Sequence, residues 1–165
     1  MKIGKGVEWG AHSCALLALL PPDATLSGYA LADFLGVPTP YLAKQLQALS
    51  RAGIVMAKRG VAGGYRLAQQ PEQLTLWDIT AAIEGTTPSF RCTEVRRNGP
   101  CGASAAECKK PCPIAAAFRQ AEARYRDALA SVILTDIIAD VASEARPARK
   151  KRITDWVRRN AASAA

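Results

Sequence analysis

Three features of this sequence predict a mainly α-helical fold with a small β wing, built as a winged helix-turn-helix domain followed by a long helix. Two amphipathic stretches, residues 27–35 and 39–52, are separated only by the tight turn Gly36-Val37-Pro38. The segment after Gly53, IVMAKRGVAGGYRLA, alternates and turns about a glycine-rich tip, as a β-hairpin does. A third helical run, from Pro113 to Ser143, carries an apolar face longer than the small domain before it can cover.

Composition bounds the rest. At 165 residues and 49% apolar content, the chain can build one substantial core with an extension, and a second full domain is not expected. The N-terminal apolar run is interrupted by Glu8 and His12 and stopped by Pro21-Pro22, too short for a membrane span or an export signal. A cytoplasmic protein without membrane partners is therefore expected. Net charge is +8, with seven cations against one acid in the last twenty residues, a balance that suits a polyanionic partner.

Taken in order, residues 7–20 read as a first helix with Val7, Ala11, Ala15 and Leu19 on one side. Glu8 and His12 lie four apart and so share a face, and His12 is the only histidine. Ser27 can cap the next helix, which turns Tyr29, Leu31, Ala32 and Leu35 inward. The helix from 39 to 52 buries Tyr41, Leu42, Leu46 and Leu49 and ends at Gly53. Its outward residues Thr39, Lys44, Gln45, Gln47, Ser50 and Arg51 are hydrogen-bond formers or cations suited to phosphates and base edges. Tyr41 is counted with the DNA-facing set as well. Lys58 and Arg59 stand at the wing tip, placed for phosphate or minor-groove contact. Helix, turn, helix and basic wing together point to double-stranded DNA as the partner.

Thr75 can cap a further helix that packs Leu76, Ile79, Ala82 and Ile83 back on the domain. A cysteine-rich loop follows. Four of the five cysteines, Cys92, Cys101, Cys108 and Cys112, fall within 21 residues that hold too few large apolar side chains to fold by burial. In a reducing compartment, clustered thiols are metal ligands or redox groups more often than disulfides. Spacings of eight, six and three intervening residues match neither a zinc knuckle nor the short ferredoxin run. Pro113 places Cys112 at a helix N-terminus, where the dipole and free N–H groups favour a thiolate.

The helix from Pro113, roughly 45 Å long at the usual rise, presents Ile114, Phe118, Ala121, Tyr125, Leu129, Val132, Ile133, Ile137 and Val141 on one face. A second copy of the chain is its simplest cover. The expected organisation is a winged helix-turn-helix domain over 1–85, a cluster-binding loop over 86–112, a dimerisation helix over 113–145 and a basic tail over 146–165. In that tail Ile153, Trp156 and Val157 suit one short helical turn.

These pieces resemble the Rrf2 family of bacterial winged-helix transcription regulators over about residues 4–145. PYLAKQLQALSRAGIV, KRGVAGGYRLA, LTLWDITAAIEG and the loop ending in CPIA carry the resemblance. It implies a homodimer, a palindromic operator and an iron-sulfur cluster held by the cysteine loop. GVEWGAHSC, CTEVRRNGP and CKKPCPIA look most like the RsrR-type redox sensors within the family. That likeness implies a 2Fe-2S cluster held by Cys92 and Cys112 of one subunit with Glu8 and His12 of the other. Cys101 and Cys108 are alternate ligands, since other branches use three cysteines and the cluster could then be 4Fe-4S. Trp9, beside both implied ligands, is the side chain expected to repack when the cluster changes state. An electron-transfer or cluster-carrier protein, with the helix-turn-helix serving only as a protein contact, is the alternative. No nucleotide-binding loop or hydrolase motif suggests an enzyme.

Overall fold

The computed structural model describes residues 3–60 and 63–162. Among them are seven α-helices and a two-stranded antiparallel sheet: α1 (Lys5–Leu17), α2 (Gly28–Leu35), α3 (Thr39–Arg51), β1 (Val55–Lys58), β2 (Gly64–Leu67), α4 (Leu76–Glu84), α5 (Pro113–Ala130), α6 (Leu134–Glu144) and α7 (Pro147–Asn160). Single 3-10 turns lie at Pro71–Gln73 and Val95–Arg97.

Local chemistry starts and stops the N-terminal elements as their residues dictate. Ser27 Oγ accepts the Ala30 N–H at 3.0 Å to begin α2, and Gly36 ends it at φ +63°, a conformation glycine takes without a Cβ penalty. Thr75 and Asp78 form a reciprocal capping box at the start of α4. β1 and β2 pair in the register Val55 with Leu67 through Lys58 with Gly64, which is the wing. Residues 61 and 62, within the glycine-rich tip, lie outside the described residues.

The core is the meeting of α1, α2, α3 and α4. Leu26, Leu31, Leu42, Leu46, Leu49, Leu74 and Ile79 are all fully buried there. α1 contributes Val7, Gly10, Cys14 and Leu17, an i, i+3, i+4 stripe one position round from the expected Val7, Ala11, Ala15, Leu19 set. Leu19 is exposed because the helix ends at Leu17, three residues before the expected limit. Tyr29 and Tyr41, both expected to face inward, are 73% and 63% exposed.

The C-terminal half differs more from expectation. The single helix over 113–145 is two, because residues 131–133 leave the helical path: Ile133 is extended at φ −86° and ψ 145°. Residues 132 to 134 pair instead with the segment before α4. Leu76 N–H donates to Val132 O at 3.0 Å, and Leu134 N–H donates to Leu74 O at 2.8 Å. Two β-branched residues in succession disfavour helix and suit this bridge.

The basic tail is likewise not a loose end with one helical turn. α7 is a regular helix docked on the winged domain, with Val157 buried and Trp156 against Phe34 of α2, ring centroids 4.7 Å apart. Beyond it Ala162 exchanges both backbone hydrogen bonds with Thr25 at 2.9 Å. No helix among the described residues is long and apolar enough to cross a membrane.

Candidate DNA interface and metal centre

The exposed side of α3 is polar because its buried side takes every large aliphatic residue. Leu42, Leu46 and Leu49 face the core, which leaves Thr39, Tyr41, Lys44, Gln47 and Arg51 in solvent. Lys58 and Arg59 are exposed at the end of β1. Among the sequence-predicted readers Ser50 is half-buried rather than outward, and Gln45 stands apart. Its amide lies over Gly6 of α1, where an added Cβ would come within 2.8 Å of the Gln45 carboxamide. Gln45 Nε2 also reaches back to Tyr41 O at 3.5 Å, a long contact. Gln45 is thus part of the α1–α3 seam, while Gln47 is the freely exposed glutamine on this helix.

The same seam depends on a second glycine. A Cβ at Gly10 would run into Ile83 Cδ1 of α4, so the missing side chain is what lets α1 and α4 approach. Glu8 and His12 are both exposed on α1, open to a partner. Trp9 is half-buried and packs against the core cluster, and its carbonyl accepts the Ser13 hydroxyl at 2.8 Å.

The cysteine loop begins pinned along α5. Phe90 stacks on Phe118 with centroids 4.6 Å apart, and Ser89 N–H donates to Glu122 Oε1 at 2.9 Å. Cys92 and Cys112, at opposite ends of the loop, are brought together. With Glu94 they form a group whose donor atoms all lie within 4.8 Å of one another. Cys92 is exposed and Cys112 is buried. Cys101 and Cys108 do not join this group, although Cys108 is close enough to Arg96 to raise its pKa further.

Arg96 is the reason the two ends meet. Its guanidinium donates to both Glu94 oxygens, at 2.5 and 2.9 Å, and to the Lys110 carbonyl at 3.0 Å. One planar fork thereby links the segment after Cys92 to the segment before Cys112. The bidentate hydrogen bond also holds the Glu94 carboxyl below the usual carboxylate range. Backbone N–H groups of Ala115 and Ile114, at the start of α5, lower the Cys112 pKa, with the Arg96 charge adding to them. Cys14, fully buried in the core, goes the other way, pushed up to about 12 by burial alone. It is an inert core thiol.

Glu94 is the site residue that sequence reasoning missed. It sits two positions from Cys92, with its backbone at φ +53°, rare for a residue with a Cβ. The donor set fits iron-sulfur chemistry in kind: two thiols, one of them set up to ionise, and a carboxylate held ionised beside a compensating cation.

Comparison with known proteins agrees with this architecture. Residues 3–140 match the Rrf2 family, described as an iron-dependent transcriptional regulator, a span that takes in α1 to most of α6 and leaves α7 outside. Slr0846 of Synechocystis sp., named as an HTH-type transcriptional regulator, is 43% identical over 90 residues, 54% of this chain and 61% of that one. The match therefore spans less than two thirds of that relative. NsrR of Streptomyces coelicolor, an HTH-type transcriptional repressor, is 26% identical over 140 residues, 84% of this chain and 89% of its own. The structure of T. potens IscR shares the fold with a TM-score of 0.62 at 23% identity, over 91% of this chain and 96% of that one. These relatives are regulators rather than enzymes, and the chain belongs to the Rrf2 family of transcriptional regulators.

Proposed function

We propose that the protein is an iron-sulfur-containing, redox-responsive DNA-binding regulator that acts as a homodimer on a palindromic operator, in the manner of the RsrR-type sensors. The observation that carries the reading is the gathering of Cys92 and Cys112 at one point of a chain whose other end is a winged helix-turn-helix. Two thiolates leave a metal centre short of ligands. Glu8 and His12, exposed on α1, supply the remainder from the second subunit, and Glu94 is a carboxylate already in place on the first.

The second subunit also covers α5. Of its 18 residues only Ala115 is buried, and Ile114 and Phe118 stand 65% and 52% exposed. An apolar helix face of this kind is covered in a stable dimer.

A 2Fe-2S cluster bound across the subunits supplies a one-electron change in charge where they meet; the three-cysteine set with Cys101 and Cys108, and a 4Fe-4S cluster, is its rival. The residues of α1 carry the consequence inward. Glu8 and His12 lie on the same helix as Gly6 and Gly10, which touch Gln45 of α3 and Ile83 of α4. A small shift of α1 therefore moves against the recognition helix, and coupling of about 1–3 kcal/mol gives a five- to 150-fold change in operator affinity. Trp9, half-buried beside Glu8, repacks with that shift.

DNA is read by Thr39, Tyr41, Lys44, Gln47 and Arg51 of α3, with Gln45 positioned against α1 and Lys58 and Arg59 on the wing. The test is titration of operator and random duplex over a salt series. Preference of about tenfold or more with a steep salt slope supports the regulator. Absent or salt-insensitive binding refutes it and leaves a cluster carrier.

A further inference from the structure

α7 lies beyond the residues that match the family, yet it is built into the DNA-reading unit. Its apolar side is spent on docking: Val157 is buried, Ile153 and Trp156 pack on the core, and Trp156 meets Phe34 of α2. The chain after α7 extends this attachment into the sheet. Ala162 pairs with Thr25, and Leu26 next to it exchanges hydrogen bonds with Tyr65 of β2 at 3.0 and 2.7 Å. Gly64 permits that approach, since a Cβ there would lie 2.5 Å from Leu26 O. The helix is therefore fixed to the sheet whose hairpin is the wing.

What α7 shows to solvent is mostly cationic. Six of its ten exposed residues are cations, Arg149, Lys150, Lys151, Arg152, Arg158 and Arg159, and Asp155 is the only acid on the helix. Asp155 pairs with Arg158 alone, at 3.7 Å, an exposed contact of little strength. Lys151 with Arg158 and Arg152 with Arg159 are each seven apart, hence two turns or about 10.5 Å along one side. Placing so many cations on a rigid helix costs self-repulsion, which a dense line of phosphates relieves.

We propose that α7 is a second DNA-contacting element, binding the phosphate backbone through Lys151, Arg152, Arg158 and Arg159 and widening the footprint of the winged domain. This rests on the DNA-binding reading above and adds a surface to it. The contacts are to phosphates, so α7 contributes affinity for any duplex and no sequence preference.

The test compares the full chain with the variant Lys151→Ala, Arg152→Ala, Arg158→Ala, Arg159→Ala. All four residues are exposed and alanine favours helix, so the fold is retained and circular dichroism is unchanged. Each protein is titrated with a random-sequence duplex of about 30 base pairs, roughly three helical turns, and with anionic phospholipid vesicles. The expected result is binding to duplex weakened about tenfold or more, and a salt slope flatter by about two to four, roughly one for each phosphate that the variant leaves unneutralised. If the native protein binds duplex and the variant does so with the same affinity and slope, the α7 proposal is overturned while the regulator stands. Loss of vesicle binding with duplex binding unchanged assigns the helix to a membrane surface instead. A native protein that binds no duplex overturns both.

Discussion

The winged domain and the cysteine loop are held together by different physics. In the first, seven large aliphatic side chains are fully buried among four helices, and the caps at Ser27 and Thr75 are satisfied locally. In the second, nearly everything is exposed, and its shape rests on polar contacts, among them the Arg96 guanidinium fork, the Ser104–Glu107 hydrogen bonds, the Ala103 N–H to Arg96 O bond and the Ser89 N–H bond to Glu122, with one stacked pair of phenylalanines. A region of the first kind stores its stability in apolar contact. A region of the second kind sits at the low end of local stability and is set by whatever binds it.

That contrast can be broken most forcefully at the core. Leu46→Ala should cost about 2–5 kcal/mol in denaturant unfolding, the range for a buried leucine that leaves a cavity. Cys92→Ala, at an exposed loop position, should leave unfolding of the metal-free protein within about 0.5 kcal/mol. Comparable losses for the two would erase the distinction. Next in size, Thr75→Ala removes the hydroxyl half of the α4 capping box, leaving only the residue 75 backbone N–H to donate to Asp78, and should cost about 1 kcal/mol in the same measurement. Arg96→Ala should have a smaller global effect still, because the pair is partly exposed and screened by solvent. Its local effect should be plain, with faster trypsin cleavage within residues 91–110 of the metal-free protein.

Thiol chemistry sharpens the same comparison without any change in stability. Alkylation of the metal-free native protein at pH 8 should modify loop cysteines and spare Cys14, whose burial keeps it protonated until about pH 12. Cys112, its pKa lowered by the backbone N–H groups at the start of α5, should go on reacting as pH falls below the range in which a free thiol in solution loses its thiolate. Modification of Cys14 at the loop rate would show that α1 opens readily.

What the sequence made legible follows the same divide. Caps, turn glycines and the wing were readable because each is a local rule written in a few adjacent residues: Ser27, Thr75, Gly36, Gly53, and Cys112 before Pro113. Tyr29 and Tyr41 misled because a tyrosine at an apolar position serves either face, and here both face solvent. The break at 131–133 was hidden by an unbroken apolar period. Its cause is a pairing with residues 74–76, distant in sequence. Docking of α7 depends in the same way on Phe34 and Thr25. Cys92 and Cys112 were singled out from the resemblance, but Glu94 was not, since neither its left-handed backbone nor the fold of the loop that sets its carboxylate beside them is written in adjacent residues.

The central claim is that Cys92 and Cys112 together hold an iron-sulfur cluster, and the visible absorption spectrum of anaerobically purified protein, with iron and acid-labile sulfide measured on the same sample, tests it most directly. The account predicts visible charge-transfer bands with iron and sulfide in equal amount, abolished in both Cys92→Ala and Cys112→Ala, altered in His12→Ala and unchanged in Cys101→Ala. A colourless protein free of iron and sulfide, or a spectrum lost in Cys101→Ala or Cys108→Ala but normal in His12→Ala, would contradict it.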